Sequence, residues 1–325
     1  MDKYLFLTST LPLLLACSNV KEDMDIVYAE GLSHNLTSTT PVAVSLNLDV
    51  YYPDDDSTGR PVFMFIHGGG FVGGTKPKPE ILDMADYYAS RGWVFASIDY
   101  RTTAELGSID GMTTEDVVSY YTGIAPEEWI RYAAEGAEDS LQLQQSIAMY
   151  TAQRDAKAAL RWIVANSTEY AIDTNYITVG GASAGAITTI ALGISNQDDF
   201  TDELSITDDP TLSTTNLDAA YTVQSMVYFW GSKIKLDLFE AVYGVNPYDA
   251  NDPELFMAHG DADDPVTPYE GAIEIQEIYN ALGIHNELVT LEGKGHGAWN
   301  AKVDGKGLFE LSHEFLVERQ GLNRD

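Results

Sequence analysis

The sequence predicts an α/β fold: a mainly parallel central sheet, helices on both faces and one inserted lid-like segment. Three observations carry this. Short apolar runs alternate with helical periodicities along most of the chain, glycine-rich turns follow several of those runs, and residues 102–150 alone break the alternation. Repeated strand–helix units imply parallel strands, because a helical crossover returns the chain to the same end of the sheet. With 45% hydrophobic and 11% aromatic residues, the chain can bury a core large enough to offset ordering entropy.

Residues 1–17 differ from everything after them. Lys3 precedes an apolar run over residues 4–16, interrupted by Pro12 and ended by Cys17. The run is too short for a retained membrane helix and has the form of an export signal. Leu14-Leu15-Ala16-Cys17 resembles the bacterial lipoprotein box, which implies lipidation of Cys17. The expected location is therefore the cell envelope as a lipoprotein, or the exterior as a secreted protein. Cys17 is the only cysteine, so no disulfide is expected in the mature domain. Residues 18–42 are expected to be a linker and residues 43–325 one folded domain.

Residues 44–50 alternate apolar and polar side chains, and the turn over residues 53–59 predicts a hairpin with the next strand. Residues 61–66 form a continuous apolar run, as in a strand buried on both faces, and end in His67-Gly68-Gly69-Gly70. Helical periodicity over residues 81–91 leads to a second buried strand over 93–98. In the 102–150 insertion, Pro126 followed by Glu127 and Glu128 opens a helix, since proline and acids favour the first turn. Aromatic residues in so long an excursion suit a lid over a cleft. A helix follows, ending near Asn166, and then a short strand over 176–179. Strands are expected over 226–230, 255–259 and 285–291, and helices over 269–282 and 308–319.

Gly181-Ala182-Ser183-Ala184-Gly185 places G-x-S-x-G between a strand and a helix, where a sharp turn exposes the serine. The glycines after His67 free backbone amides to face a developing negative oxygen. Two further loops follow strands: His259-Gly260-Asp261-Ala262-Asp263-Asp264 and Gly293-Lys294-Gly295-His296-Gly297. Alone, each of these is an ordinary tight turn; in this order they are specific.

With these four motifs the chain, over roughly residues 46–321, resembles the α/β-hydrolase superfamily and, within it, carboxylesterases of the hormone-sensitive-lipase type. The resemblance implies a serine ester hydrolase with Ser183 as nucleophile, His296 as general base and an aspartate orienting the histidine. Asp263 holds the fifth position of an H-G-x-x-D loop found in related esterases and peptidases; Asp264 and Asp261 are the alternatives. Gly69, Gly70 and Ala184 would supply the oxyanion amides, and His67 would brace its loop. His259 is expected to be a satisfied structural residue, and His34, His285 and His313 to lie at the surface. The 102–150 insertion is larger than simple members of the group carry, which leaves substrate preference open.

Other classes are disfavoured. Eighteen basic against 50 acidic residues give a formal charge of −32, which repels nucleic acid and anionic membrane surfaces. The aspartate pairs and triplet lack calcium-loop spacing and suit solvated loops. No H-E-x-x-H pattern or cysteine set suggests a metal, and no dinucleotide loop opens an early helix, so no cofactor is expected. A peptidase of the prolyl-oligopeptidase kind would share the fold and the H-G-x-x-D loop, but 325 residues leave no room for the propeller domain such enzymes usually carry. A non-catalytic binding protein on this fold would be expected to have lost the nucleophile or the base.

Overall fold

The computed structural model describes residues 20–34 and 40–322. The signal segment and Cys17 lie outside the described residues. In chain order the elements are β1 (Val20–Ser33), β2 (Val42–Pro53), β3 (Arg60–Ile66), α1 (Pro79–Ala89), β4 (Val94–Ile98), α2 (Thr103–Leu106), α3 (Thr114–Tyr120), α4 (Glu127–Gly136) and α5 (Ser140–Ala165). They continue with β5 (Ile172–Ala182), α6 (Ala184–Ile194), β6 (Ser225–Phe229), α7 (Ile234–Tyr243), β7 (Glu254–Gly260), α8 (Glu270–Leu282), β8 (Asn286–Leu291), the two-residue strands β9 (Lys302–Val303) and β10 (Lys306–Gly307), and α9 (Leu308–Arg319).

Eight strands form one sheet in the order β1-β2-β4-β3-β5-β6-β7-β8. The first two are antiparallel to their neighbours, and β4 through β8 are parallel. The apolar runs are continuous because both faces are covered, and successive side chains enter different cores. On β3, Val62, Met64 and Ile66 join the core beneath α5, α6, α7 and α8, while Phe63 and Phe65 join the one beneath α1 and α9. The same alternation holds along β6 and β7.

Four sequence expectations are corrected. Residues 20–33 are not a linker but a strand paired along its length with β2. Its outer half carries Lys21, Glu22, Asp23 and Asp25, as an edge strand tolerates. The expected hairpin between β2 and β3 does not form, because β4 lies between them. The 102–150 insertion does not end at 150: α5 is continuous from Ser140, capped by the Asp139 carboxylate on the Gln142 amide. The insertion is also well packed, with Val117, Tyr121, Ile124 and Trp129 all in the larger core. Buried ion pairs tie α5 to its surroundings. Asp155 receives the Arg101 guanidinium from the loop after β4, and Arg154 donates to Asp209, so Asp209, one of the paired aspartates (Asp208-Asp209) expected in a solvated loop, is buried instead.

Candidate active site

The loops after β3, β5, β6, β7 and β8 all leave the carboxyl edge of the sheet, and these strands are consecutive neighbours there. Residues far apart in sequence thus meet over one edge, where ligands of open α/β sheets bind. Strand β5 ends at Ala182 and α6 begins at Ala184, so Ser183 alone makes the turn, with φ 56° and ψ −123°. Backbone of this kind costs about 1–3 kcal/mol in a non-glycine residue and persists only where the surroundings hold it. Here the Ser183 amide donates to Phe229 O at 2.9 Å, and Ser183 O accepts the first bond of α6 from Ile187. Position 185 must be glycine, because a β-carbon there would overlap the Ile66 carbonyl at the end of β3.

His296 Nε2 lies 2.9 Å from Ser183 Oγ, and His296 Nδ1 lies 2.8 Å from Asp263 Oδ2. Among the three candidate acids, the geometry brings Asp263 to the histidine. Asp264 is exposed, and Asp261 instead accepts the Gly293 amide, linking the two loops. Asp263 is 2% exposed. Its Oδ2 also lies 2.8 Å from Thr267 Oγ1 and 3.2 Å from His259 Nε2. Thr267 Oγ1 is in turn 3.0 Å from His296 Nδ1 and 3.0 Å from Trp230 O. His259 Nε2 also donates to Thr267 O at 2.8 Å, and burial lowers this imidazole's pKa, favouring the neutral form. His259 is thus buried as expected and braces the acid's loop through Nε2, but it is not fully satisfied, because its buried Nδ1 has no hydrogen-bond partner among the described residues.

Two other histidine expectations change. His34 is not at the surface: it is buried, stacks on Tyr120 and bonds to Tyr120 O. His313 is half-buried against Tyr87, Tyr88 and Trp93. His285 is exposed, as expected.

The glycine loop is held by its carbonyls. Tyr100 donates its hydroxyl to His67 O at 2.8 Å, the Val72 amide donates to Gly69 O at 3.1 Å, and Gln145 donates Nε2 to Gly70 O at 2.8 Å. His67 stacks on Tyr100 and donates Nδ1–H to Gly68 O at 3.0 Å, the bracing role expected of it. Burial lowers its pKa to about 4, so it is neutral near pH 7. The Gly69 and Gly70 amides have no protein acceptor among the described residues. Ala184 is the first residue of α6, where the amides have no intrahelical partner and the helix dipole adds positive potential. These three amides are therefore available to an anion beside Ser183.

A cavity of about 330 Å³ opens over Ser183 and His296, walled by Ile81, Trp230 and Trp299. At Val266 it meets a cleft of about 580 Å³ between α4, the start of α5 and α7. The insertion reaches the site through its carboxyl-terminal part: residues 132–149 line this cleft, and Gln145 holds the glycine loop. Thr267, Trp230 and Gln145 were not anticipated. Thr267 and Trp230 lie in or beside loops and Gln145 in the second turn of α5, and no motif marks any of them.

Such an arrangement, a serine hydroxyl on a strained strand–helix turn, bonded to a histidine that is bonded to a buried aspartate, defines an α/β-hydrolase fold with a candidate catalytic triad. Residues 136–321, more than half of the chain, match the prolyl oligopeptidase family, and residues 48–110 match the family described as BD-FAE. The chain belongs to the prolyl oligopeptidase family. It is 31% identical over 148 residues to phenmedipham hydrolase of Pseudarthrobacter oxydans, covering 45% of this chain and 22% of that protein. It is 25% identical over 276 residues to esterase LipC of Mycobacterium tuberculosis, covering 77% of this chain and 56% of that one. The matches thus span little more than half of those relatives' lengths at most. The butyrate-bound esterase of Thermogutta terrifontis superposes with a TM-score of 0.60 at 20% identity, over 97% of this chain and 98% of the other.

Proposed function

We propose that the chain is a serine carboxylic-ester hydrolase acting through an acyl-enzyme. The observation that carries this is the unbroken line from Asp263 Oδ2 to His296 Nδ1 at 2.8 Å and from His296 Nε2 to Ser183 Oγ at 2.9 Å. In the proposed reaction, His296 Nε2 takes the hydroxyl proton as Ser183 Oγ attacks the ester carbonyl. The carbonyl oxygen becomes an anion facing the amides of Gly69, Gly70 and Ala184. His296 then protonates the leaving alcohol, and water repeats the sequence in reverse to release the acid. Asp263 keeps the Nδ1–H tautomer and stabilises the imidazolium. Ester and water balance the reaction, so it needs no cofactor.

The H-G-G-G loop supports an esterase of the hormone-sensitive-lipase type, and the esterases among the relatives and structural neighbours support ester hydrolysis without bearing on the type. Membership of the prolyl oligopeptidase family favours a second reading, a serine peptidase. Short acyl groups are the proposed substrates of the cavity, with butyrate in the structural neighbour as support. We propose that the adjoining cleft takes longer or bulkier apolar groups, since it presents exposed Tyr132, Ile234 and Val266. Export, with a lipid anchor at Cys17, remains part of the proposal and rests on residues 1–17 alone.

A substrate panel tests these readings. The expected result is turnover of p-nitrophenyl acetate and butyrate exceeding that of a proline p-nitroanilide by orders of magnitude; the reverse preference would establish the peptidase. In the same panel, Ala137→Trp, which fills the cleft, should reduce kcat/KM for p-nitrophenyl octanoate by about tenfold while sparing the acetate. Equal loss on both esters would detach the cleft from substrate binding.

A further inference from the structure

We propose that Lys78 is a positioning residue for the oxyanion site, acting through the peptide group between Gly68 and Gly69; this rests on the esterase reading. A trans peptide is planar, so its carbonyl and its N–H point in opposite directions, and fixing one aims the other. Lys78 Nζ donates to Gly68 O at 2.9 Å, on the carbonyl of the peptide whose N–H belongs to Gly69. Gly69 has φ 147°, a region that only glycine enters readily, so the aim of this peptide depends on the groups that hold it rather than on an ordinary backbone preference. The two following peptides are held by uncharged donors, the Val72 amide and the Gln145 side chain. The Gly68 carbonyl alone in this loop receives an ammonium.

Four features suit Lys78 to the task. It sits between Pro77 and Pro79 at the start of α1, and the flanking rings restrict the backbone that launches its side chain. Among the described residues no carboxylate lies within salt-bridge distance of Nζ, despite the large acid excess of the chain, so no ion pair neutralises its charge. The other donor on Gly68 O, His67, is neutral near pH 7 and cannot substitute for that charge. A charge-assisted bond to the carbonyl is stronger than a neutral one, and it polarises the peptide so that the Gly69 N–H becomes a better donor. Lys78 also lines the catalytic cavity, which places its positive charge on the side where negative charge develops.

The test compares wild type, Lys78→Met and Lys78→Arg with p-nitrophenyl acetate, together with the inhibition constant of an aliphatic trifluoromethyl ketone. Addition of Ser183 Oγ to that ketone places an oxyanion where the tetrahedral intermediate has one. Lys78→Met should lower kcat by about tenfold or more, within the ~10²–10³ that loss of a whole oxyanion donor costs. KM should stay within about threefold, and ketone affinity should fall in proportion to kcat. Lys78→Arg, which keeps a charged donor, should recover most of both. If Lys78→Met shows no cooperative thermal transition, Lys78→Gln takes its place in the comparison. A variant with wild-type kcat, or one that loses kcat while binding the ketone as wild type does, overturns the inference. Wild-type protein inactive on the ester would instead remove the esterase reading on which the inference stands.

Discussion

Ser183→Ala is expected to abolish ester hydrolysis, with a loss in kcat of about 10⁶-fold, because nucleophile and base act as a unit and removing one removes the covalent route. The fold should survive. The substitution deletes one oxygen whose side-chain partner is His296 Nε2, and the backbone bonds that hold the turn, Ser183 N to Phe229 O and Ile187 N to Ser183 O, do not involve it. A melting temperature within a few degrees of wild type, with p-nitrophenyl acetate turnover at background, is the expected pair of results. Unchanged turnover in the purified variant would place the chemistry elsewhere.

The second large effect is expected at Asp263. Asparagine is nearly the same size, but its amide presents a donor to His296 Nδ1 and selects the tautomer with the proton on Nε2, which cannot accept from Ser183. A loss of about 10⁴-fold in kcat follows for Asp263→Asn, as for other triads treated this way. Asp264→Asn should stay near wild type, because that side chain is exposed and no hydrogen bond or ion pair joins it to the described residues. Thr267 and His259 also lean on the Asp263 carboxylate, so Asp263→Asn should melt somewhat lower than wild type, whereas Asp264→Asn should not. Steady-state rates and thermal melts of the two variants side by side check this; a greater rate loss at Asp264 would reassign the acid.

The two outcomes reflect how differently the parts of this molecule are written into its residues. Strands β3 through β7 were legible because burial on both faces requires unbroken apolar runs, as in residues 61–66. Strand β1 was not legible, because it is the sheet's edge strand and its exposed first half tolerates charged residues that mimic a linker. The misassigned hairpin has another origin. Adjacency in sequence says nothing about β4 arriving later and taking the place between β2 and β3. At the site, Ser183 and the glycine loop were readable because sharp turns and close backbone approach leave only certain residues possible. The choice among three aspartates rested on motif position, and contact with His296 then singled out Asp263. Thr267, Gln145 and Lys78 act by reaching across to another element, and such contacts have no pattern along the chain.

The central claim is that Ser183 becomes covalently acylated because His296 and Asp263 activate it. The most direct measurement is a rapid-quench reaction with a slowly deacylating p-nitrophenyl ester, followed by mass spectrometry of the proteolysed protein. The expected result is an acyl group on the peptide containing Ser183, formed at the rate of the p-nitrophenol burst and absent from His296→Ala over the same interval. Turnover with no adduct at Ser183, or an adduct that forms as fast without the histidine, would contradict the account.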